Sequence, residues 1–392
     1  DTIAMGVQAS TQAADSAVAP WDAVAIGSKA KATTYKALAI GAYSQATGRQ
    51  STVIGNDIQG QNSTASGTRS QILGVQSNVS GDNSVSIGDT NTVASARTYA
   101  IGNNINAAAG TDDSLAFGTR AHVSGANQVS IGKDAGADAA VPNTSGIVIG
   151  ESAGRYLEGG TRNTAIGERA GQYVKGSYNI AMGTNAGSRT ATDTLVVDDS
   201  TSIGHNAKAV TSESIAIGKN AESGKVDKFD GKKATAIGHE AKALGTGTIA
   251  MGAYATSENG HDGVAIGTYA KSSNVKTITI GGYSSASGVQ SIAIANNYNS
   301  DNSNNSDKST ATGARAIVMG AESHATAERA LAIGDKNTVA SARTYAIGNN
   351  INVAAGADDS LVFGTKAAVG AENTVAIGAN ANAAQANSCL LY

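Results

Sequence analysis

The chain has 392 residues, 48 of them glycine, with two prolines, one cysteine, one tryptophan and three phenylalanines. Aromatic residues supply 4% and charged residues 15%, so an ordinary thick core is excluded and one shallow core spread along a thin object is expected. A net charge of −3 with dispersed Lys and Arg gives no footprint for nucleic acid, and no apolar run approaches the roughly 20 residues of a bilayer span.

The chain opens at Asp1-Thr2-Ile3-Ala4-Met5-Gly6, already inside a repeat and without the basic and apolar regions of a signal peptide, so it reads as a mature or excised fragment. The unit is apolar, small, apolar, glycine: Val24-Ala25-Ile26-Gly27, Leu38-Ala39-Ile40-Gly41, Val85-Ser86-Ile87-Gly88, Tyr99-Ala100-Ile101-Gly102, Ile215-Ala216-Ile217-Gly218 and Val375-Ala376-Ile377-Gly378. It closes 24 times between Gly6 and Gly378, once with Ala295 in place of glycine. Twelve of the 23 intervals are 14 residues and none is shorter, so fourteen is the basic coil and longer intervals carry insertions. Apolar residues one and three places before the glycine alternate as in a strand. Small residues three and five places after it (Ala30 and Ala32, Ser44 and Ala46, Ala207 and Ala209) predict a second strand. Glycines at the closing place and at Gly48, Gly81, Gly125, Gly245 and Gly288 are expected to make the corners. Such a coil, advancing one strand spacing per turn, is a parallel β-solenoid.

In chain order, Ala19-Pro20-Trp21-Asp22 puts the tryptophan in the first insertion, as a contact or as a cap. Residues 89–132 recur almost unchanged at 335–378, a duplicated block, and 133–187 form a variant with longer coils carrying Ala153-Gly154, Ala170-Gly171 and Ala186-Gly187. Gly224 to Lys233 carries Lys225, Lys228, Phe229, Lys232 and Lys233, a basic insertion suited to an acidic or matrix partner and otherwise a solvated loop. Asn296 to Ser309 is a hydrophilic loop. The solenoid is expected to run over 1–387, with 388–392 a truncated end.

Two short facing strands enclose a narrow tube that suits Ala and Ser. Val, Ile and Leu then point outward, and the stacked outward pairs form an apolar stripe that water does not tolerate. Copies of the chain are expected to cover it, with Ile26, Ile40, Val85, Ile87, Ile101, Ile217 and Ile377 in the core of a trimer.

The coil Asn83-Ser84-Val85-Ser86-Ile87-Gly88, with its relatives around Gly27, Gly218 and Gly378, resembles the head repeat of trimeric autotransporter adhesins of the YadA-like type. The resemblance extends over essentially the whole chain. It implies an all-β fold, a left-handed parallel β-roll of about 24 coils assembled as a homotrimer, displayed on the outer surface of a Gram-negative bacterium. It further implies attachment to matrix proteins such as collagen, fibronectin or laminin, to cells or to abiotic surfaces, and it points to the hexapeptide residues Asn83, Ser84, Val85, Ile87 and Gly88 as collagen contacts, most of which packing also requires. The membrane would be reached only through a stalk and anchor that this sequence does not show. The rival reading is a phage or secreted fibre of the same design with a receptor-binding role.

Enzymatic chemistry finds no footing. The five histidines, at 122, 205, 239, 261 and 324, have no ligand spacing, and lone Cys389 can form no intrachain disulfide. The acidic pairs Asp112-Asp113, Asp198-Asp199 and Asp358-Asp359 would point to opposite faces of a strand. No phosphate-loop motif and no calcium nonapeptide occurs. The hexapeptide solenoids of acyltransferases need 18-residue coils, and ice-binding solenoids a Thr ladder. No catalytic residue, cofactor or metal is expected.

Overall fold

A computed structural model describes residues 1–12, 20–57, 62–139, 142–157, 160–189, 196–225, 232–258, 260–297 and 308–392. They form two compact units, Asp1–Asp199 and Ser200–Tyr392, and each is an all-β parallel solenoid. About 24 turns are present in all, and the described residues contain no helix. In each unit the apolar-small-apolar triplets become three-residue strands. Their ladder is parallel and in register one coil apart: Val24 pairs with Leu38, Ala25 with Ala39 and Ile26 with Ile40. A second ladder of two-residue strands faces it, running in the first unit from Lys31–Ala32 to His122–Val123. The second unit repeats this arrangement from Lys208–Ala209 onward.

The strand faces are as the alternation predicts. Ala25, Ala39, Ser86 and Ala100 are fully buried, while their apolar neighbours on either side are half-buried or exposed. The opposite assignment, with Val and Ile of the triplets filling the tube, fails at these residues. The tube is nevertheless wider than Ala and Ser alone require. Ile72, Val79, Val93, Ile105 and Ile351 are also sealed inside. Large interior residues stand on one another in places, Val79 beneath Val93 and Val53 beneath Ile72, and on small ones elsewhere. Ala107 pairs in register with Val93, and Ile105 lies one coil on from Asn91.

Asn91 shows how a polar residue is accommodated in that tube. Its Nδ2 donates to the Gly102 carbonyl at 2.8 Å, and its Oδ1 accepts from the Ile105 N–H at 2.9 Å. Asn337 makes the same pair of bonds to Gly348 and Ile351, at 2.6 and 2.9 Å. Replacing Asn91 with Ala orphans a buried donor and a buried acceptor. The expected loss is about 1–3 kcal/mol, read as a lower denaturation midpoint, with Asn337→Ala matching it in the second unit.

The corners meet expectation only in part. Closing glycines take positive φ, Gly27 at 130° and Gly41 at 113°, but the left-handed places between them are held mostly by other residues: in the coil from Gly27 to Gly41 they are Lys29 and Lys36, with φ of 57° and 53°. Tyr43 and Gln50 follow at the same seven-residue spacing. Each donates its N–H to the preceding coil, Lys29 to the Val7 carbonyl and Lys36 to that of Trp21, both at 2.8 Å. These bonds offset the roughly 1–2 kcal/mol that a left-handed L-residue costs. Glycine at the seventh place serves close approach instead. Gly48 has no left-handed φ, and a Cβ there would fall 2.1 Å from the Gly67 carbonyl oxygen.

Among the described residues of 133–187 the coil is built differently. Where second strands would lie, turns carry Ala135-Gly136, Ala153-Gly154, Ala170-Gly171 and Ala186-Gly187, with glycine φ between 55° and 65°. The Gly136 N–H still reaches the Ala153 carbonyl, at 2.9 Å, so the stacking continues without the strand. The other end of the chain is also ordered differently from expectation. Cys389–Leu391 is a strand in register with Val375–Ile377, so the ladder runs past residue 387.

Candidate functional site

The feature that distinguishes this surface is the outward face of the first-strand ladder. In the first unit it carries Ile26, Ile54, Leu73, Ile87, Tyr99 and Phe117, and in the second Ile266, Ile280, Met319, Tyr345 and Phe363, all exposed. Ile40, Val85, Ile101, Ile217 and Ile377 occupy the same face and are half-buried. A single Leu or Ile on a surface needs no explanation, but an apolar pair repeated on coil after coil marks an interaction face. The two copies of the duplicated block present the same aromatic pair: Tyr99 and Phe117 are 48% and 49% exposed, Tyr345 and Phe363 46% and 50%.

The residues singled out as ligand contacts are scattered. Trp21 is exposed beside the first corner. Asn83 is a left-handed corner residue with φ of 57°. Ser84 is a correction: it is fully buried, its Oγ donates to the Ser95 carbonyl at 2.7 Å and accepts from the Thr98 N–H at 3.1 Å. Its hydroxyl holds two coils together and meets no ligand. Lys225, Lys232 and Lys233 are exposed, with Lys233 3.7 Å from Glu213. Lys228 and Phe229 lie outside the described residues.

The acidic pairs divide two tasks. Asp112 accepts from the Ala96 N–H at 3.0 Å, capping the neighbouring coil. Asp113 takes the Arg97 guanidinium, with Nη2 to Oδ2 at 2.7 Å. Asp358 and Asp359 repeat this with Ala342 and Arg343. Hydrogen bonding to the guanidinium holds the Asp113 and Asp359 carboxyls below their usual range. A folded-state pKa below the unfolded one adds stability that is full above the unfolded value, about 4, and is lost as pH falls through the folded value. Asp113→Asn with Asp359→Asn is therefore expected to flatten part of the acid-side fall in urea midpoint below about pH 4, and to leave its slope between pH 5 and 7 unchanged.

One feature went unread in the sequence. Tyr254, Tyr269 and Tyr283 stack with ring centroids 4.7 and 5.0 Å apart, and His239 meets Tyr254 edge-on at 5.1 Å. Tyr156 and Tyr173 form a second stack at 4.7 Å. The signal was available: each Tyr of the first stack stands two places after its closing glycine, at the left-handed corner. Partial burial and then its two tyrosine neighbours push the Tyr269 hydroxyl up from its ordinary range.

The YadA head domain repeat, described as two copies, matches residues 22–44, 35–57, 73–91, 198–221, 230–255, 311–337, 355–381 and 370–388. The matched coils are similar to the YadA head repeat. The family is one of adhesins rather than enzymes. The YadA-type segments include Ile26, Ile40, Val85, Ile87, Ile217 and Ile377, and they leave 92–197, with the Ala-Gly coils, outside the matched pattern. No curated protein matches the chain.

Proposed function

We propose that the chain is the non-enzymatic adhesive head of a homotrimeric surface protein, held at the outer membrane of a Gram-negative bacterium. The single observation that carries the assembly is the repeated apolar pair on the outward strand face, which water would leave uncovered in a monomer. Three copies would bury it along a shared axis. The corners and insertions would stay outside, offering the same weak contacts many times to a matrix protein or a solid surface. Trp21, Asn83 and the lysines at 225, 232 and 233 are the side chains we assign to such contacts.

Sedimentation at micromolar concentration tests the assembly: a mass near three times 38.8 kDa is expected, and a stable monomer overturns it. Capture on immobilised collagen, fibronectin, laminin and bare polystyrene tests the adhesion. Retention on none of the four removes the adhesive reading and leaves the assembly standing.

A further inference from the structure

The second-strand ladder of the first unit stops at His122–Val123, and its last coil faces the first Ala-Gly turn. Along the outside of these stacked coils lies an open pocket of about 470 Å³, reached by Arg120, His122, Asp134, Asp138 and Arg155. None of its lining residues belongs to a first strand, so it opens on the side of the coil away from the apolar face. It also falls within the stretch that the YadA repeat leaves unmatched.

Two guanidinium groups are fixed in its wall. Arg120 donates from Nε and Nη2 to the two carboxylate oxygens of Asp134, at 2.6 and 2.7 Å, and Asp134 is 6% exposed. Arg155 lies 4.6 Å from the ring centroid of Tyr156 and donates from Nε to Asp138 at 3.0 Å. The remaining N–H groups of both arginines have no partner among the described residues, whereas both oxygens of Asp134 are engaged. Fixed donors therefore outnumber acceptors. Burial pushes the His122 imidazole down from its ordinary range, against the pull of Asp138 and of a backbone hydrogen bond to Asn106, so at neutral pH the ring is uncharged, with its one N–H drawn to the Asn106 backbone and its other nitrogen an acceptor. The amides of Asn104 and Asn106 stand at the rim.

We propose that this pocket binds a sugar residue carrying a carboxylate, such as a uronic or sialic acid unit of a polysaccharide. A planar guanidinium with unspent N–H groups receives a carboxylate in two parallel bonds. An imidazole acceptor and amides of mixed donor and acceptor character match ring hydroxyls. The volume lies within the span of about 300–1,000 Å³ usual for small-ligand sites. The two aspartates balance the two arginines in charge, so a bare anion gains little and the sugar ring is needed as well.

The duplicated block supplies an internal control. At the places of Arg120 and His122 the second copy has Lys366 and Ala368, and just beyond the block Asn380 stands at the place of Asp134. Its second strand Ala368–Val369 pairs onward with Asn382–Ala383, so the ladder continues there and no Ala-Gly turn stands over it. Arg120→Lys with His122→Ala therefore installs residues that an equivalent coil already carries.

Saturation-transfer NMR on the whole chain, with glucuronic acid, N-acetylneuraminic acid and glucose as probes, tests the site. At about 10 mM probe at least one of the acids is expected to give transfer and glucose none. The R120K/H122A pair and R155Q should each weaken binding about tenfold at an unchanged thermal midpoint. Glucose binding as well as the acids, acid binding undiminished in both variants, or no transfer from either acid overturns the proposal.

Discussion

Replacing Ile87 and Ile101 with aspartate is expected to turn trimers into monomers while the coils remain folded. The two residues pair in register on adjacent coils and point away from the tube. Ile87 is 39% exposed and Ile101 half-buried, while Ser86 and Ala100 between their neighbours are fully enclosed. A carboxylate at either outward place is solvated in the single chain. In the proposed trimer each substitution gathers three carboxylates around one axis with no cation to meet them. Burying an uncompensated charge costs about 3–5 kcal/mol, and two layers of three exceed what one interface can absorb. Sedimentation should show the mass falling to that of one chain, with the far-ultraviolet signature of the β-structure retained. Ser86→Asp, one residue away, reverses the outcome: its carboxylate enters the closed tube and the coil should unfold. A trimer that survives both outward substitutions would mean that the apolar face is not the interface.

That contrast between neighbouring residues was readable from spacing alone, because period-two alternation fixes which side each side chain takes. The coil length was equally plain, since twelve intervals of 14 leave little freedom. The corners were read only in part, since closing glycines do take positive φ but the left-handed places beyond them were missed, for a physical reason. Glycine is the usual residue at positive φ, yet here Lys, Arg, Tyr, Asn and Asp stand at the left-handed places. Their inter-coil N–H bonds hold them there, and propensity gives no hint of such bonds. Ser84 was misplaced because the hexapeptide was read as a surface motif, whereas its alternation puts every second side chain inside. The pocket at Arg120 and Arg155 was illegible for another reason. Asp134 follows Arg120 by 14 residues, but Arg155 and Asp138 come together only through the variant coil, 17 residues apart. No fixed period announces that pairing.

The closing glycine is where stacking leaves no choice, and Gly27→Ala is expected to be among the most damaging single changes in the chain. Gly27 has φ of 130°, and a Cβ on it would lie 2.5 Å from the Gly41 carbonyl oxygen on the next coil. Holding an L-residue there costs about 1–3 kcal/mol in backbone strain, and the next coil must also move away. A total loss of about 3 kcal/mol or more follows. Because each coil rests mainly on its neighbours, the damage should be local. Amide exchange should accelerate across Val24–Ile26 and Leu38–Ile40, and the denaturation midpoint should fall. Lys29→Gly, two residues on, takes a left-handed place that glycine occupies freely, so it should shift stability by less than about 1 kcal/mol. Ala295 explains why one coil does without the glycine. It is absent from the residues with positive φ, and its N–H still reaches the Ile280 carbonyl at 2.9 Å, just before the chain leaves for the Asn-rich insertion. Ala295→Gly should accordingly stay within about 1 kcal/mol. If Gly27→Ala proves as mild as that change, the glycine at the end of each triplet is not what lets the coils approach.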